Sequence, residues 1–206
     1  MAVKRRTNPE ARRGELIAAA RKVFADKGVA NSTVSDVVKS AGVAQGTFYL
    51  YFDAKADIVN ALVEQMVDGM VDTVERCVTA TDAGAVAKLL AFRDAVLAIA
   101  NNEAGRELAE IYHRPENRAV HDRMAERITP RLAPLIEKIV RQGVAEGVFT
   151  AEDPRVAAWF VLGGLHMLEV GFTDPTDLTA AITSATKCAL RALGQTVPTP
   201  ASAAGQ

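Results

Sequence analysis

Residues 33–52 read TVSDVVKSAGVAQGTFYLYF and decide how the amino-terminal part of the chain folds. The stretch contains two short helical patterns separated by an Ala-Gly-Val turn at 41–43. Thr33 and Asp36 have the spacing of a capping box, and Gly42 can adopt the left-handed conformation that ends a helix. Two short helices joined by a tight turn form a helix-turn-helix, whose second helix enters the DNA major groove.

The second helix, predicted over Ala44 to Tyr51, has two different faces at about 100° per residue. Ala44, Phe48 and Phe52 fall on one side, so we expect them to pack inward. Glutamine can pair with adenine, hydroxyls reach phosphates, and an apolar side chain can touch a thymine methyl group. A solvated face that happens to carry two tyrosines is the alternative. The outward and flanking residues are Gln45, Gly46, Tyr49 and Leu50, with Thr47 and Tyr51 on the flank.

The charge of the chain is distributed unevenly. Residues 1–55 contain ten Lys or Arg and five acidic residues, which gives a net charge of about +5. The rest of the chain contains fourteen basic and twenty acidic residues, which gives a net charge of about −6. A basic module on an acidic body is typical of a DNA-facing domain. Asn8-Pro9 predicts the start of a first helix that ends near Gly28 and completes a three-helix core.

The remaining chain predicts further helices and no strands, so the fold class is all-α, with an amino-terminal helix-turn-helix domain and a carboxy-terminal helical domain. We expect Asp53 to cap a long fourth helix, followed by helices over 84–100 and 104–112 and an amphipathic region that Pro115, Pro130 and Pro134 interrupt up to Gly147. Asp153-Pro154 and Asp174-Pro175 predict the starts of two final helices. The face expected to be apolar on the fourth helix comprises Ile58, Leu62, Met66, Gly69, Met70, Thr73 and Cys77. The predicted domains are 1–52 and 53–193, with a disordered tail at 194–206.

Several classes of protein do not fit the sequence. Cys77 and Cys188 have no metal-binding spacing and are expected to be reduced thiols. The apolar run after the basic start is too short for a signal peptide, and 156–170 falls short of a membrane span. We therefore expect a soluble cytoplasmic protein without a membrane partner.

Residues 10–60 resemble the amino-terminal domain of the TetR (tetracycline repressor) family of transcriptional regulators. The resemblance implies an all-α homodimer that binds a palindromic operator in double-stranded DNA as a repressor. It also implies that a small, largely apolar effector in the carboxy-terminal domain alters DNA affinity. The matching positions are 20–28 (ARKVFADKG), Thr33-Val34, Asp36-Val37, 41–43, Gly46-Thr47-Phe48-Tyr49, Tyr51-Phe52 and Lys55.

The resemblance also implies roles for individual residues at the DNA. Thr33 would cap a helix and bind phosphate, Ser35 would face the backbone, and Lys55 would bind phosphate at the start of the fourth helix. Ala44 departs from the family pattern, in which a hydroxyl is frequent, and Leu50 is unusual on an outward face. Base, groove or backbone contacts are implied for Gln45, Gly46, Thr47, Tyr49 and Tyr51. Arg5 and Arg6 would reach the minor groove or belong to a solvated tail.

The carboxy-terminal domain is implied to hold the effector and the dimer contacts. Its candidate effector residues are Met66, Met70, Phe92, Tyr112, His113, Trp159 and Met167, each with ordinary core packing as the alternative. Its candidate dimer residues, on the last two helices, are Phe160, Gly163, Gly164, His166, Ile182, Ala185 and Ala189.

Two other functions fit the sequence less well. An acid site at Glu107 and Glu110 near Tyr112 would support an enzyme, but charged residues on a helix are usually a solvated face. A nonspecific architectural DNA binder is disfavoured by the acidic, apolar carboxy-terminal part. His113 and His121 have no partner at ligand spacing, so we assign no metal, no cofactor and no catalytic residue.

Overall fold

The computed structural model describes residues 8–80, 82–101, 118–172 and 174–195, and these residues form α-helices and no strand. The prediction of an all-α fold is confirmed. In chain order the helices are α1 (Pro9–Lys27), α2 (Val34–Ala41), α3 (Gln45–Phe48), α4 (Lys55–Thr79), α5 (Ala85–Asn101), α6 (Arg118–Ala145), α7 (Pro154–Gly171) and α8 (Pro175–Ala192).

The described residues fall into two compact units. Unit 1 comprises the described residues within 1–69 and 102–127, and unit 2 comprises the described residues within 70–101 and 128–206. Helices α4 and α6 therefore each contribute residues to both units. The predicted domain boundaries at 52 and 193 stay predictions.

Unit 1 is built on the three helices that the sequence predicts. The Asn8 Oδ1 atom accepts the Glu10 amide at 3.1 Å and caps α1, with Pro9 as the first helical residue. Helix α1 packs against α2, and α2 packs against α3. Each large apolar side chain buried here contributes about 1.5–3 kcal/mol. Fully buried side chains of this unit include Leu16, Phe24, Val37, Phe48, Ile58 and Leu62.

Helix α4 differs in two details from its prediction. It begins at Lys55, and the carboxylate that accepts an amide at this end is Asp57, whose Oδ2 lies 2.8 Å from the Ala54 nitrogen. The expected cap by Asp53 is therefore wrong: Asp53 precedes the helix by two residues, whereas Asp57 lies in its first turn. The predicted apolar face is buried at Ile58, Leu62 and Met66. Further along, Cys77 is exposed, and Val74 and Val78 are buried instead.

The start of α5 in unit 2 is capped by a residue from the end of α6. The Glu146 Oε2 atom accepts the Ala85 amide at 2.9 Å, and the Gln142 side-chain amide donates to Glu146 Oε1 at 2.6 Å. Lys88 in turn donates to the Gln142 oxygen at 3.0 Å. The backbone bond from Ala85, followed by the Gln142 bond, lowers the pKa of the Glu146 carboxyl. A carboxylate at a helix N-terminus is stabilising, so this network joins α5 to α6.

Helix α6 continues through two prolines. Pro130 and Pro134 lie inside Arg118–Ala145, although the sequence predicted that they would interrupt it. Each proline removes one amide donor and is normally disfavoured in a helix interior, but both face solvent here, and the apolar row of Leu132, Ile136 and Ile139 is buried on either side of them. The predicted helix over 104–112, Pro115 and residues 196–206 lie outside the described residues.

The last two helices begin where the sequence predicts. Asp153 accepts the amides of Arg155 and Val156, and Asp174 accepts those of Thr176 and Asp177. Helices α5 and α7 both pack against α8. Across the described ranges, no helix has the length and apolar character needed to cross a membrane.

Candidate DNA-binding site

The predicted capping box at the start of α2 is present. The Thr33 Oγ1 atom accepts the Asp36 amide at 3.1 Å, and the Asp36 carboxylate accepts the Thr33 amide at 2.9 Å and its hydroxyl at 2.7 Å. The ammonium of Lys27 donates to Asp36 at 2.7 Å. This bond, followed by those from Thr33, holds the pKa of the Asp36 carboxyl well below its usual range, and it raises the pKa of Lys27. The hydroxyl proton of Thr33 therefore points at Asp36, and its predicted phosphate contact stays a prediction.

Protonating Asp36 is expected to weaken the start of α2 in acid. Because the folded-state pKa is lowered, the contribution of this carboxylate to stability is present above its unfolded pKa, about 3.9, and is lost as the pH falls through the folded pKa. Asp36→Asn keeps an oxygen acceptor and removes the charge. The stability difference from the wild type should be constant between about pH 7 and 5 and shrink below about pH 4. Urea unfolding of both proteins measures it, and a difference that stays constant down to about pH 3 would contradict this role of the charge.

Helix α2 ends at Gly42 in the left-handed conformation, with φ 66°, as predicted, and the following helix is shorter than expected. Helix α3 covers Gln45–Phe48 only, and the chain continues in turns to Tyr51. Ala44 has extended backbone angles outside the helix and is exposed, so its predicted inward packing is wrong. A helical wheel assigns a face only to residues that are in the helix.

The outward face of this turn is as exposed as predicted. Phe48 is buried and stacks edge-on against Tyr49 with ring centroids 5.4 Å apart, which holds Tyr49 at the surface with 52% of its area exposed. Leu50 is 79% exposed, and Gln45 is exposed as well. Gly46 and Ser35 are also exposed, and Thr47 and Tyr51 are half-buried on the flank. Arg5 and Arg6 lie outside the described residues.

Beneath this face, Phe52 joins α3 to α1. Its ring lies 5.5 Å from that of Phe48, and the Arg13 guanidinium lies 5.2 Å from its centre. A cation over an aromatic face is attracted by the ring quadrupole. The short α3 is thus supported by aromatic packing rather than by its own length.

The side chain of Lys55 does not extend outward from unit 1. Its ammonium donates to the carbonyl oxygens of Val29 at 2.9 Å and Ser32 at 2.8 Å, in the loop between α1 and α2. The side chain is half-buried. Its predicted phosphate contact stays a prediction.

Unit 2 contains a cavity of about 620 Å³ between α5, α7 and α8. Phe92, predicted to contact an effector, lines it, and neighbours that the sequence did not single out include Leu89, Arg93 and Val96 on the same helix face. These residues are three or four positions apart, and this helical spacing is the sequence feature that could have identified them. Arg93 is the one charged side chain among the described residues that line the cavity, and its guanidinium pairs with Asp94 at 2.6 Å.

The other predicted effector residues are dispersed. Met66 is buried in unit 1, and Met70 is half-buried at the start of the unit 2 part of α4. Trp159 and Met167 are 46% and 63% exposed on α7 and do not line the cavity. Tyr112 and His113 lie outside the described residues.

Five predicted dimer residues line the same cavity: Phe160, Gly164, Ile182, Ala185 and Ala189. Phe160 is 66% exposed and Gly163 is exposed, whereas Ile182 is buried within the unit and His166 is half-buried. The cavity thus opens beside an exposed apolar face of α7. Over the parts of the chain that the structure describes, no three His, Cys, Asp or Glu side chains are grouped in a way that could hold a metal ion.

Known proteins resemble the part of the chain that contains the helix-turn-helix. Residues 16–62 match the model of the bacterial regulatory proteins, tetR family. The helix-turn-helix segment is therefore similar in sequence to the TetR family. The uncharacterized HTH-type transcriptional regulator YvdT of Bacillus subtilis (strain 168) is 39% identical over 61 residues, 30% of this chain and 31% of that protein. The HTH-type transcriptional regulator TtgR of Pseudomonas putida is 41% identical over 64 residues, 30% of each chain.

The TetR-family likeness in sequence therefore spans less than a third of these relatives' length, and solved structures extend it in fold. SmeT, the repressor of the Stenotrophomonas maltophilia multidrug efflux pump SmeDEF, superposes with a TM-score of 0.66 at 22% identity, over 89% of this chain and 91% of that one. FadR from Bacillus subtilis in complex with stearoyl-CoA superposes with a TM-score of 0.68 at 24% identity, over 86% of this chain and 97% of that one. Both likenesses show the fold. The named relatives are transcriptional regulators, not enzymes.

Proposed function

We propose that this chain is a ligand-responsive transcriptional repressor that binds a palindromic operator as a dimer. The observation that carries the proposal is the outward face formed by α3 and the turn after it, where Gln45, Tyr49 and Leu50 stand exposed above a buried Phe48. A largely exposed leucine beside an exposed tyrosine has no packing purpose within unit 1. Against DNA, both side chains and the glutamine find partners in base edges, methyl groups and phosphates.

Sequence selectivity in this proposal comes from few residues. The face of α3 carries no charge, so the electrostatic attraction to phosphates must come from the amino-terminal arm and from neighbouring cations such as Lys39, exposed on α2. Gln45 is the residue with a bidentate amide and is the proposed reader of an adenine. Tyr49, Thr47 and Tyr51 are proposed to fix the register through phosphates or groove edges.

Selection of bound duplexes from randomised DNA by the full chain tests this function. We expect an enriched inverted repeat whose half-site centres lie about 10–10.5 base pairs apart or a multiple of that. Gln45→Ala should lose about 1–3 kcal/mol for the preferred duplex and relax the preference at one base position per half-site. Gln65→Ala removes an exposed glutamine from α4 and is the matched control. Enrichment of no inverted repeat would rule out the proposed function.

The proposed dimer uses the exposed face of α7 with the adjacent face of α8. On α7, Val156, Trp159, Phe160 and Met167 expose large apolar surfaces around the small Gly163. Ala185 and Ala189 on α8 offer small side chains beside this face. Large and small residues on one face allow a self-complementary contact between two copies. A continuous apolar face of this kind is rarely left exposed in a monomer.

The proposed effector occupies the cavity of unit 2. Its volume of about 620 Å³ lies within the range of about 300–1,000 Å³ typical of small-molecule sites. Two proteins of the same fold have been solved in complex with small molecules, SmeT with triclosan and FadR with stearoyl-CoA. A difference of about 1–3 kcal/mol in operator binding would change affinity about 5–150-fold. Operator affinity of the full chain with and without a bound apolar molecule measures this coupling, and equal affinities would exclude it for that molecule.

A further inference from the structure

We propose that Lys55 is a positioning residue, which supports DNA binding by holding the loop between α1 and α2 rather than by neutralising a phosphate. The proposal rests on the proposed DNA-binding function. Its basis is the pair of bonds from the Lys55 ammonium to the carbonyl oxygens of Val29 and Ser32, 2.9 Å and 2.8 Å long. These bonds join residues 26 and 23 positions apart in the sequence, so they connect separate parts of unit 1.

The loop that receives these bonds is ordered by its own contacts. The Ser32 side chain is 3% exposed and its hydroxyl donates to the Gly28 carbonyl at 2.5 Å. The Ser32 amide donates to the Val29 carbonyl at 3.3 Å. The Val29 carbonyl oxygen therefore accepts hydrogen bonds from both the Ser32 amide and the Lys55 ammonium. The residue that follows this loop is Thr33, the cap of α2. The Lys55 ammonium thus sets the position at which α2 begins.

The electrostatics of the site agree with this role. Lys55 is the first residue of α4, where the helix dipole is positive and a cation is unfavourable. Two carbonyl oxygens directed at the ammonium offset that cost. They occupy two of its three N–H groups, and the half-buried side chain is held within unit 1. Helix α3 lies in the chain between α2 and α4, so a contact that ties the starts of both helices fixes the two ends of the segment that carries α3.

Lys55→Met separates the two possible roles through the dependence of binding on salt. Removing phosphate contacts lowers the slope of log affinity against log salt by about 0.9 for each phosphate. Removing a positioning contact leaves the slope unchanged and weakens binding equally at each salt concentration. We expect affinity of the full chain for the inverted-repeat duplex enriched by the wild type to fall about tenfold, as when hydrogen bonds to a charged group are removed, with an unchanged slope. Amide exchange should quicken in 28–36 and remain unchanged elsewhere in the described residues.

The control is Lys39→Met, which removes an exposed lysine of α2 and should leave exchange in 28–36 unchanged. If Lys55→Met does not fold, Lys55→Gln retains an amide that can reach one carbonyl, and the same slope is measured. A lowered slope in either variant overturns the positioning role, as does unchanged affinity or unchanged exchange. Failure of the wild type to enrich any inverted repeat would instead reject the proposed function, so the two failures are distinguishable.

Discussion

Replacing Phe160 by aspartate is expected to convert a dimer into a monomer and to lower operator affinity by about 100-fold or more. Phe160 exposes 66% of its surface in the single chain, at the centre of the apolar face of α7. Two copies paired on this face would bury a carboxylate without a partner, which is strongly destabilising for the contact. A monomer reads one half-site at a time and loses the effective concentration that links the two half-sites.

The monomer itself should remain folded, because Phe160 contributes little burial within its own chain. Sedimentation velocity at micromolar concentration measures the oligomeric state, and thermal unfolding measures the integrity of the fold. Val144→Asp is the matched control, since it places the same charge at an exposed apolar position of α6 that does not line the cavity, and it should remain dimeric. A dimeric Phe160→Asp variant, or a monomeric wild type, would contradict the proposed interface.

Gly143→Ala is expected to destabilise unit 2 by about 1–3 kcal/mol, the usual cost of overpacking a well-packed core. A Cβ atom at Gly143 would lie 2.0 Å from Cδ2 and 2.5 Å from Cε2 of Phe149. The ring cannot withdraw easily, because Phe149 is buried among the core residues of unit 2. The amides of Val148 and Phe149 also both donate to the Gly143 carbonyl, at 2.9 and 3.0 Å.

Thermal and urea unfolding measure this change, with a fall in Tm of about 2–4 °C for each kcal/mol in a chain of this size. Gly14→Ala is the matched control, since a Cβ there meets nothing within 4 Å, and it should be neutral or stabilising by up to about 1 kcal/mol. Phe149→Leu combined with Gly143→Ala should be less destabilising than the sum of the two changes, because the clash is removed. A Gly143→Ala variant as stable as Gly14→Ala would refute the close approach.

Most helix starts could be predicted, because caps depend on residues two or three positions apart. Asn8, Asp153 and Asp174 each accept an amide of the next turn, as their identity and the prolines after them predict. Thr33 and Asp36 form the expected reciprocal pair. One error is Asp53, which lies two residues before α4 and does not cap it. The others are Ala44 and the length of α3, where aromatic packing of Phe48 and Phe52 stabilises a single helical turn that periodicity alone extends too far.

The features of the candidate site and of α6 also differ in whether the sequence alone predicts them. Gln45, Tyr49 and Leu50 are exposed as the helical wheel predicted, although Tyr49 and Leu50 lie in the turn after α3, where the wheel does not apply. The continuity of α6 through Pro130 and Pro134 does not follow from local preference, since both prolines disfavour it and the burial of the row between and beyond them outweighs that cost.

The sequence by itself determined the all-α class, the capped helix-turn-helix and the uncharged outward face of α3. All of these arise from residues within one or two helical turns of each other. Only the tertiary structure decided that Lys55 contacts Val29 and Ser32, that Glu146 caps α5, and that Gly143 lies against Phe149. It also brought Phe92 and five of the predicted dimer residues around one cavity. Most of these partners lie far apart in the chain, and their meeting is set by how apolar faces pack together, which no local spacing encodes.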